Sequence, residues 1–185
     1  CDEITKKLGS DEVLRITGNP VLPGFTAPKI LWTQKHEPEL FASIDKVVLP
    51  KDFIRYKLTG QFFSDVSDAS GTSLLDVGKR NWSGEMFDAL GWPITWMPEV
   101  TESTEASTKI SEDASGLTGL LAGTPVIAGG GDQAAQAVGC GIVEEGLVSA
   151  TLGTSGVVFA QSDEYRVEPS GKLHAFCHAV PGKWH

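Results

Sequence analysis

Asp132 follows three consecutive glycines, Gly129, Gly130 and Gly131, and precedes a run of small residues. A carboxylate in that setting can act as a general base, because a glycine corner lets a substrate approach the backbone without meeting a Cβ. Each glycine costs about 0.5–1 kcal/mol relative to Ala in regular structure, so three in a row point to a backbone constraint. The local pattern alone fits equally well a helix N-cap, a preferred place for Asp. The spacing is not the dinucleotide G-x-G-x-x-G fingerprint, since Asp132 and Gln133 interrupt it. Gln133 adds an amide able to hydrogen-bond hydroxyl groups.

A second group is Thr151, Leu152, Gly153, Thr154, Ser155 and Gly156. Glycines with adjacent hydroxyls can surround phosphate oxygens with N–H and O–H donors. The Lys of a Walker A loop is absent. Taken alone the stretch reads as a hairpin turn; paired with an upstream Asp on a glycine corner it fits a hinge-type phosphotransferase. Residues 68–73, beginning Asp68-Ala69-Ser70, are a hydroxyl-rich stretch similar to the D-x-G-T phosphate hairpin of actin-like ATPases, and read as a structural turn. His174, Cys177, His178 and His185 have an H-x2-C-H spacing but no second pair, so no metal site is expected. The five tryptophans read as packing residues.

The positioning elements alternate between helix and strand, which indicates α/β architecture. Residues 1–19 read as one short helix stopped by Gly18, Asn19 and Pro20. Pro28 suits a first helical turn, and Pro38 separates two helices. Residues 47–49 read as a strand ended by Pro50. Residues 52–58 read as a helix with Phe53, Ile54 and Leu58 on its packed side, ended by Gly60. Lys46, Lys51, Arg55 and Lys57 read as a solvated face. Residues 84–90 form a helix opened by Ser83 and closed by Gly91, and 101–116 a surface loop with a short strand. Residues 124–128 read as a buried strand, 132–138 as a slim helix, and 147–151 and 157–160 as the strands flanking the 153–156 turn.

The chain has 185 residues, 41% hydrophobic and 21% charged, in the ordinary globular range. Its net charge of −9, with 15 scattered basic residues, excludes a basic nucleic-acid-binding face. No apolar run approaches the ~20 residues needed to cross a membrane. Three cysteines without motif spacing fit a reducing, cytoplasmic setting. Because it begins at Cys1 and ends inside an apolar-aromatic run, the chain is expected to be an internal piece of a longer protein.

Residues 24–32 (GFTAPKILW), 47–60 (VVLPKDFIRYKLTG), 64–77 (SDVSDASGTSLLDV), 123–139 (GTPVIAGGGDQAAQAVG), 149–160 (SATLGTSGVVFA) and 174–185 (HAFCHAVPGKWH) together resemble the FGGY carbohydrate kinases, in one order over nearly the whole chain. Gly24, Lys29 and Trp32 fit the family's first signature; Thr33 stands where an apolar residue is usual. The resemblance implies a ribonuclease-H-like, actin-like ATPase fold, with 1–141 as the later part of a sugar-binding domain and 142–185 as the start of an ATP-binding one. It implies ATP and Mg2+ as cofactors and a small-molecule sugar as substrate, D-xylulose being expected and gluconate or L-ribulose the alternatives. It implies Asp132 as catalytic base, Asp132 and Gln133 as sugar contacts, and Gly153, Thr154 and Ser155 as ATP-phosphate contacts. Upstream phosphate-hairpin residues and a downstream adenine pocket would lie outside the chain, so the 185 residues alone are expected to be inactive. No nucleic-acid or membrane partner is expected; a homodimer is an expectation that the residues do not fix. A nucleotide-binding module without sugar chemistry is the other reading.

Overall fold

A computed structural model describes residues 1–154 and 156–185. Gly9, at φ 90°, breaks the first nineteen residues into α1 (Asp2–Leu8) and α2 (Ser10–Thr17), so the single expected helix is two. Ile4, Val13 and Ile16 share their buried face. They pack against Ala27, Ile30 and Leu31 of α3 (Thr26–His36) and Met86, Phe87 and Leu90 of α7 (Gly84–Leu90), forming the larger core. Pro38 opens α4 (Pro38–Ala42), a separate short helix as its missing N–H requires. Ser83 caps α7 by accepting from the Met86 N–H, and Gly91 ends it in the left-handed region.

The expected strand at residues 47–49 does not form. The Val47 N–H bonds to the Trp96 carbonyl, and Pro50 instead becomes the first residue of α5 (Pro50–Thr59). Proline suits that position because the first helical N–H has no partner to lose. Gly60 closes α5 at φ 74°. β1 (Phe63–Asp65) follows, then α6 (Val66–Ala69), a 3-10 turn over Ser70–Thr72, and β2 (Leu75–Asp76). The expected turn at Asp68 is therefore helical, because Asp65 caps it. β1 runs parallel to β4 (Glu99–Thr101), with Ser64 opposite Val100, and β2 pairs antiparallel with β3 (Asn81–Trp82).

The 101–116 region holds its short strand, β5 (Thr108–Lys109), but also α8 (Glu112–Thr118), capped by Ser111. The expected buried strand at 124–128 shrinks to β6 (Pro125–Val126), paired with β5. Pro125 cannot donate to a ladder, and Ile127 is 52% exposed. α9 (Asp132–Gly139) buries Ala134 and Ala137, and β7 (Val148–Leu152) and β8 (Gly156–Ala160) form an antiparallel hairpin.

Residues 161–185 are mostly irregular and fold back onto the earlier elements. Cys177 completes a second core with Val66, Ala69, Leu75 and Val77, against which Tyr165 and Trp184 pack. The returning strand is fixed by polar groups. The fully buried Asn19 donates to the Ala175 carbonyl at 2.9 Å and accepts from the Ala175 N–H at 3.3 Å. Ser70 Oγ accepts from the Cys177 N–H at 3.0 Å, and Trp184 donates to the Val77 carbonyl at 2.9 Å. Arg80 pairs with Glu102 and donates to the Lys183 carbonyl at 2.7 Å.

Gly18 tests this closure. It has φ 69°, and an added Cβ would lie 2.8 Å from the Ala175 carbonyl oxygen, whereas Gly60 has a similar φ and open space. In the full-length protein Gly60→Ala is expected to cost about 1 kcal/mol from backbone strain alone, and Gly18→Ala roughly 2 kcal/mol or more. Urea unfolding of the two variants measures the difference; equal costs would mean that the 174–176 segment is not seated against Gly18.

Candidate active site

The site is built on buried charge. α5 turns Asp52 (1% exposed) and Arg55 (5%) inward and leaves Phe53 and Ile54 exposed, so the expected packed face is reversed. Buried charges persist only when paired, and Asp52 is paired closely, whereas Arg55 has only a distant carboxylate and no hydrogen-bond partner among the described residues. Lys51 Nζ lies 2.6 Å from Asp52 Oδ1, 2.6 Å from Asp65 Oδ1 and 3.8 Å from Asp68 Oδ2. Lys51 and Arg55 therefore do not belong to a solvated basic face. Arg55 stands 3.9 Å from Asp52 and 5.6 Å over the Phe63 ring. Burial opposes the Lys51 charge, but the Asp65 and Asp52 carboxylates prevail and hold its pKa above the ordinary lysine value.

Asp65 joins this pair to the glycine corner. Its Oδ2 accepts from the Ser67 N–H at 2.8 Å, the Asp68 N–H at 3.2 Å, Ser103 Oγ at 2.9 Å, and the Ser67 hydroxyl. Ser67 Oγ in turn accepts from the Gly131 N–H at 3.0 Å. A Cβ on Gly130 would meet Ser67 Oγ at 3.3 Å, and one on Gly131 would meet Asp68 Cα at 3.4 Å. Gly129 has φ 88° and donates to the Ser103 carbonyl. Gly129 thus serves backbone conformation and Gly130 a tight approach to Ser67, whereas the space at Gly131 would admit a Cβ in ordinary contact.

Asp132 is the first residue of α9, with Gly131 at the N-cap. Its Oδ1 accepts only the neighbouring Gln133 N–H, at 2.8 Å, among the described residues. The carboxylate is exposed in a cleft of about 990 Å³. One side of the cleft carries Ser67, Asp68, Gly131, Asp132 and Gln133; the other carries β8 from Gly156 together with Phe159, His174, Phe176, Trp184 and His185. His185 stacks on Phe159 at 4.0 Å and His174 on Phe176 at 5.4 Å. Burial, then proximity to His178, pushes the His185 pKa down to about 3, and Glu164, Arg166, Glu168 and Lys172 also line the cleft.

The structure therefore brings Asp132, Gln133 and β8 to one opening. Gly153 and Thr154 lie in the turn between β7 and β8, outside the cleft lining formed by the described residues; Ser155 lies outside the described residues. Gln136 ties α9 to the hairpin through Thr151 Oγ1 at 3.4 Å. Cys177 and His178 are buried. Burial pushes the Cys177 thiol up to about 11, and among the described residues no group of His, Cys, Asp and Glu is arranged to hold a metal ion.

The sequence reading missed Asp68 and the Lys51–Asp65 pair as parts of the site. The Asp65-Val66-Ser67-Asp68 spacing is the readable signal, since an acid three residues after a capping residue marks a helix start.

Residues 1–139 match the model of the FGGY family of carbohydrate kinases, N-terminal domain. The chain is 50% identical over 170 residues to the xylulose kinase of Escherichia coli K12, covering 92% of this chain and 35% of that protein. It is 44% identical over 185 residues to the xylulose kinase of Klebsiella pneumoniae, covering 100% of this chain and 38% of that protein. A crystal structure titled as a xyloylose kinase from Brucella ovis superposes with a TM-score of 0.93 at 43% identity, over 99% of this chain and 38% of that one. The chain spans little more than a third of the length of these relatives. The fold is the ribonuclease-H-like fold of actin-like ATPases. The chain belongs to the FGGY family of carbohydrate kinases.

Removing Asp65 leaves Lys51 buried beside too little negative charge and uncaps α6. Asp65→Ala in the full-length protein is expected to lose about 3–5 kcal/mol. Ser67→Ala, which strands the Gly131 N–H, is expected to lose about 1–2 kcal/mol. Chemical denaturation gives both values; an Asp65→Ala cost below that of Ser67→Ala would contradict the central place given to the ion pair.

Proposed function

We propose that the full-length protein transfers the γ-phosphoryl group of ATP to a hydroxyl of a sugar, converting D-xylulose to D-xylulose 5-phosphate. The observation that carries this reading is the Asp132 carboxylate, exposed on a glycine corner in an open cleft, where one of its oxygens accepts only the adjacent Gln133 N–H among the described residues. The names of the relatives support the choice of sugar. Residues 1–141 then serve as the sugar-binding side and 142–185 begin the ATP-binding side.

In this mechanism the sugar hydroxyl loses its proton to Asp132 as its oxygen bonds to the γ-phosphorus. The bond from that phosphorus to the bridging oxygen breaks, and ADP leaves. General-base catalysis of this kind contributes ~10²–10⁴-fold. Gln133 hydrogen-bonds sugar hydroxyls beside the base. Gly153, Thr154 and Ser155 present N–H and O–H donors to the phosphates. ATP arrives as its Mg2+ complex. When bound with ATP, the ion would offset charge on the phosphate oxygens. Orienting the reactants and offsetting phosphoryl charge supply the remaining acceleration. Excluding water from the cleft protects ATP from hydrolysis.

The 185-residue chain alone is expected to show no turnover. In the full-length protein, D-xylulose should stimulate ADP release, and Asp132→Asn should lower kcat by ~10²–10⁴-fold. A panel with gluconate and L-ribulose identifies the sugar. ADP release independent of any sugar and unchanged in Asp132→Asn would instead indicate a nucleotide-binding module without sugar chemistry.

A further inference from the structure

We infer that Asp68 is a sugar-contacting specificity residue: its carboxylate accepts a hydrogen bond from a sugar hydroxyl other than the one phosphorylated. The inference rests on the kinase reading above and deepens it.

Three carboxylates surround Lys51, and they are not equivalent. Asp52 receives Lys51 at 2.6 Å and the Ser64 hydroxyl at 2.7 Å. Asp65 receives Lys51 and four further donors. Asp68 accepts no hydrogen bond among the described residues, and its only cation, Lys51, is 3.8 Å away, at the outer limit of an ion pair. Its side chain is 32% exposed, and it lines the cleft together with Asp132 and Gln133. Its backbone is held in place, since its N–H bonds to Asp65 and its Cα lies against Gly131. Burial chiefly, and then Asp65, Asp52 and Asp132, push its pKa up to about 6 against the pull of Lys51.

A half-buried carboxylate without a donor is unfavourable for folding. An asparagine would fill the same volume without the charge. Such a local cost, uncompensated within the fold, marks a group held for a ligand. The surrounding charges select the ligand's chemistry. Asp65, Asp52 and Asp132 surround Asp68 with negative charge, so an anion is unfavourable against it. Lys51, 3.8 Å away, already offsets part of the Asp68 charge, and what the carboxylate lacks is a hydrogen-bond donor. A neutral O–H group supplies one, and a polyol brings several. A site built to bond a hydroxyl rejects the analogue lacking it, because the buried acceptor is then left unpaired.

The charged groups facing Asp68 are Lys51 and Asp52 from α5, Asp65 from β1 and Asp132 from α9. As pH falls through about 6, the protonated carboxyl loses acceptor capacity, and sugar affinity should fall with it. The stability effect has the opposite sign. With the folded pKa above the unfolded value near 3.8, Asp68 favours folding most at low pH and loses that contribution as pH rises through about 6.

The test uses the full-length protein with D-xylulose and its deoxy analogues, in wild type, Asp68→Asn, Asp68→Glu and Asp132→Asn. Asp68→Asn is expected to raise the KM for sugar about 10-fold or more while moving the KM for ATP by less than about 2-fold. Its unfolding midpoint at pH 7.5 should equal or exceed that of wild type, which a merely structural role would not produce. One deoxy analogue should bind wild type and Asp68→Asn equally weakly, identifying the bonded hydroxyl. Should Asp68→Asn not fold, the wild-type fall in sugar affinity below about pH 6, altered in Asp68→Glu, carries the test. Unchanged sugar affinity in a folded Asp68→Asn, with Asp132→Asn inactive, overturns the role of Asp68 and leaves the kinase reading intact. Absence of sugar-dependent ADP release in wild type removes both.

Discussion

One partly buried ammonium organises the polar interior of this chain. Lys51 sits between Asp52 and Asp65, and neither carboxylate has water to fall back on. Separating such a pair leaves a charge stranded in low dielectric, so α5 and the end of β1 are locked together. Asp65 then holds α6 through its cap, and Ser67 passes the constraint to the Gly131 N–H. The position of Asp132 is thus set by hydrogen bonds that begin on the other side of the fold. At Gly130 this relay is close-packed, since an added Cβ would come within 3.3 Å of Ser67 Oγ.

The cleft is chemically mixed. Beside α6 and α9 its lining carries the Asp68 and Asp132 carboxylates, and it also carries Phe159, Phe176 and His185 together with Arg166 and Lys172. Apolar and aromatic faces with a few placed polar groups are the usual makeup of a small-molecule site.

The elements legible in the sequence were those defined by their ends. Gly18, Gly60 and Gly91 stop helices in the left-handed region as their positions indicated, and the glycine corner and the β7–β8 hairpin stand where the residues placed them. Faces were less legible than ends. Helix α5 looked amphipathic with an apolar side inward because its charges have no visible partners in sequence; Asp65 and Asp68 lie a β-strand away. Residues 124–128 looked buried because they are apolar, yet β6 has one partner strand and its Ile127 is exposed. Residues 47–49 are β-branched and aliphatic, and they remain irregular because Pro50 draws the chain into a helix. Asp132 and Gln133 were singled out by motif and line the cleft, whereas Asp68, which lines it too, was read only as part of a turn.

The second core is finished by residues far along the chain. Ser70 receives the Cys177 N–H across a separation of 107 residues, and Val77 receives Trp184 across the same span. At ribosomal rates of about 5–20 residues per second, Val66, Leu75 and Val77 wait on the order of 5–20 s for the chain that covers them. For that interval the nascent polypeptide presents a greasy, uncapped surface.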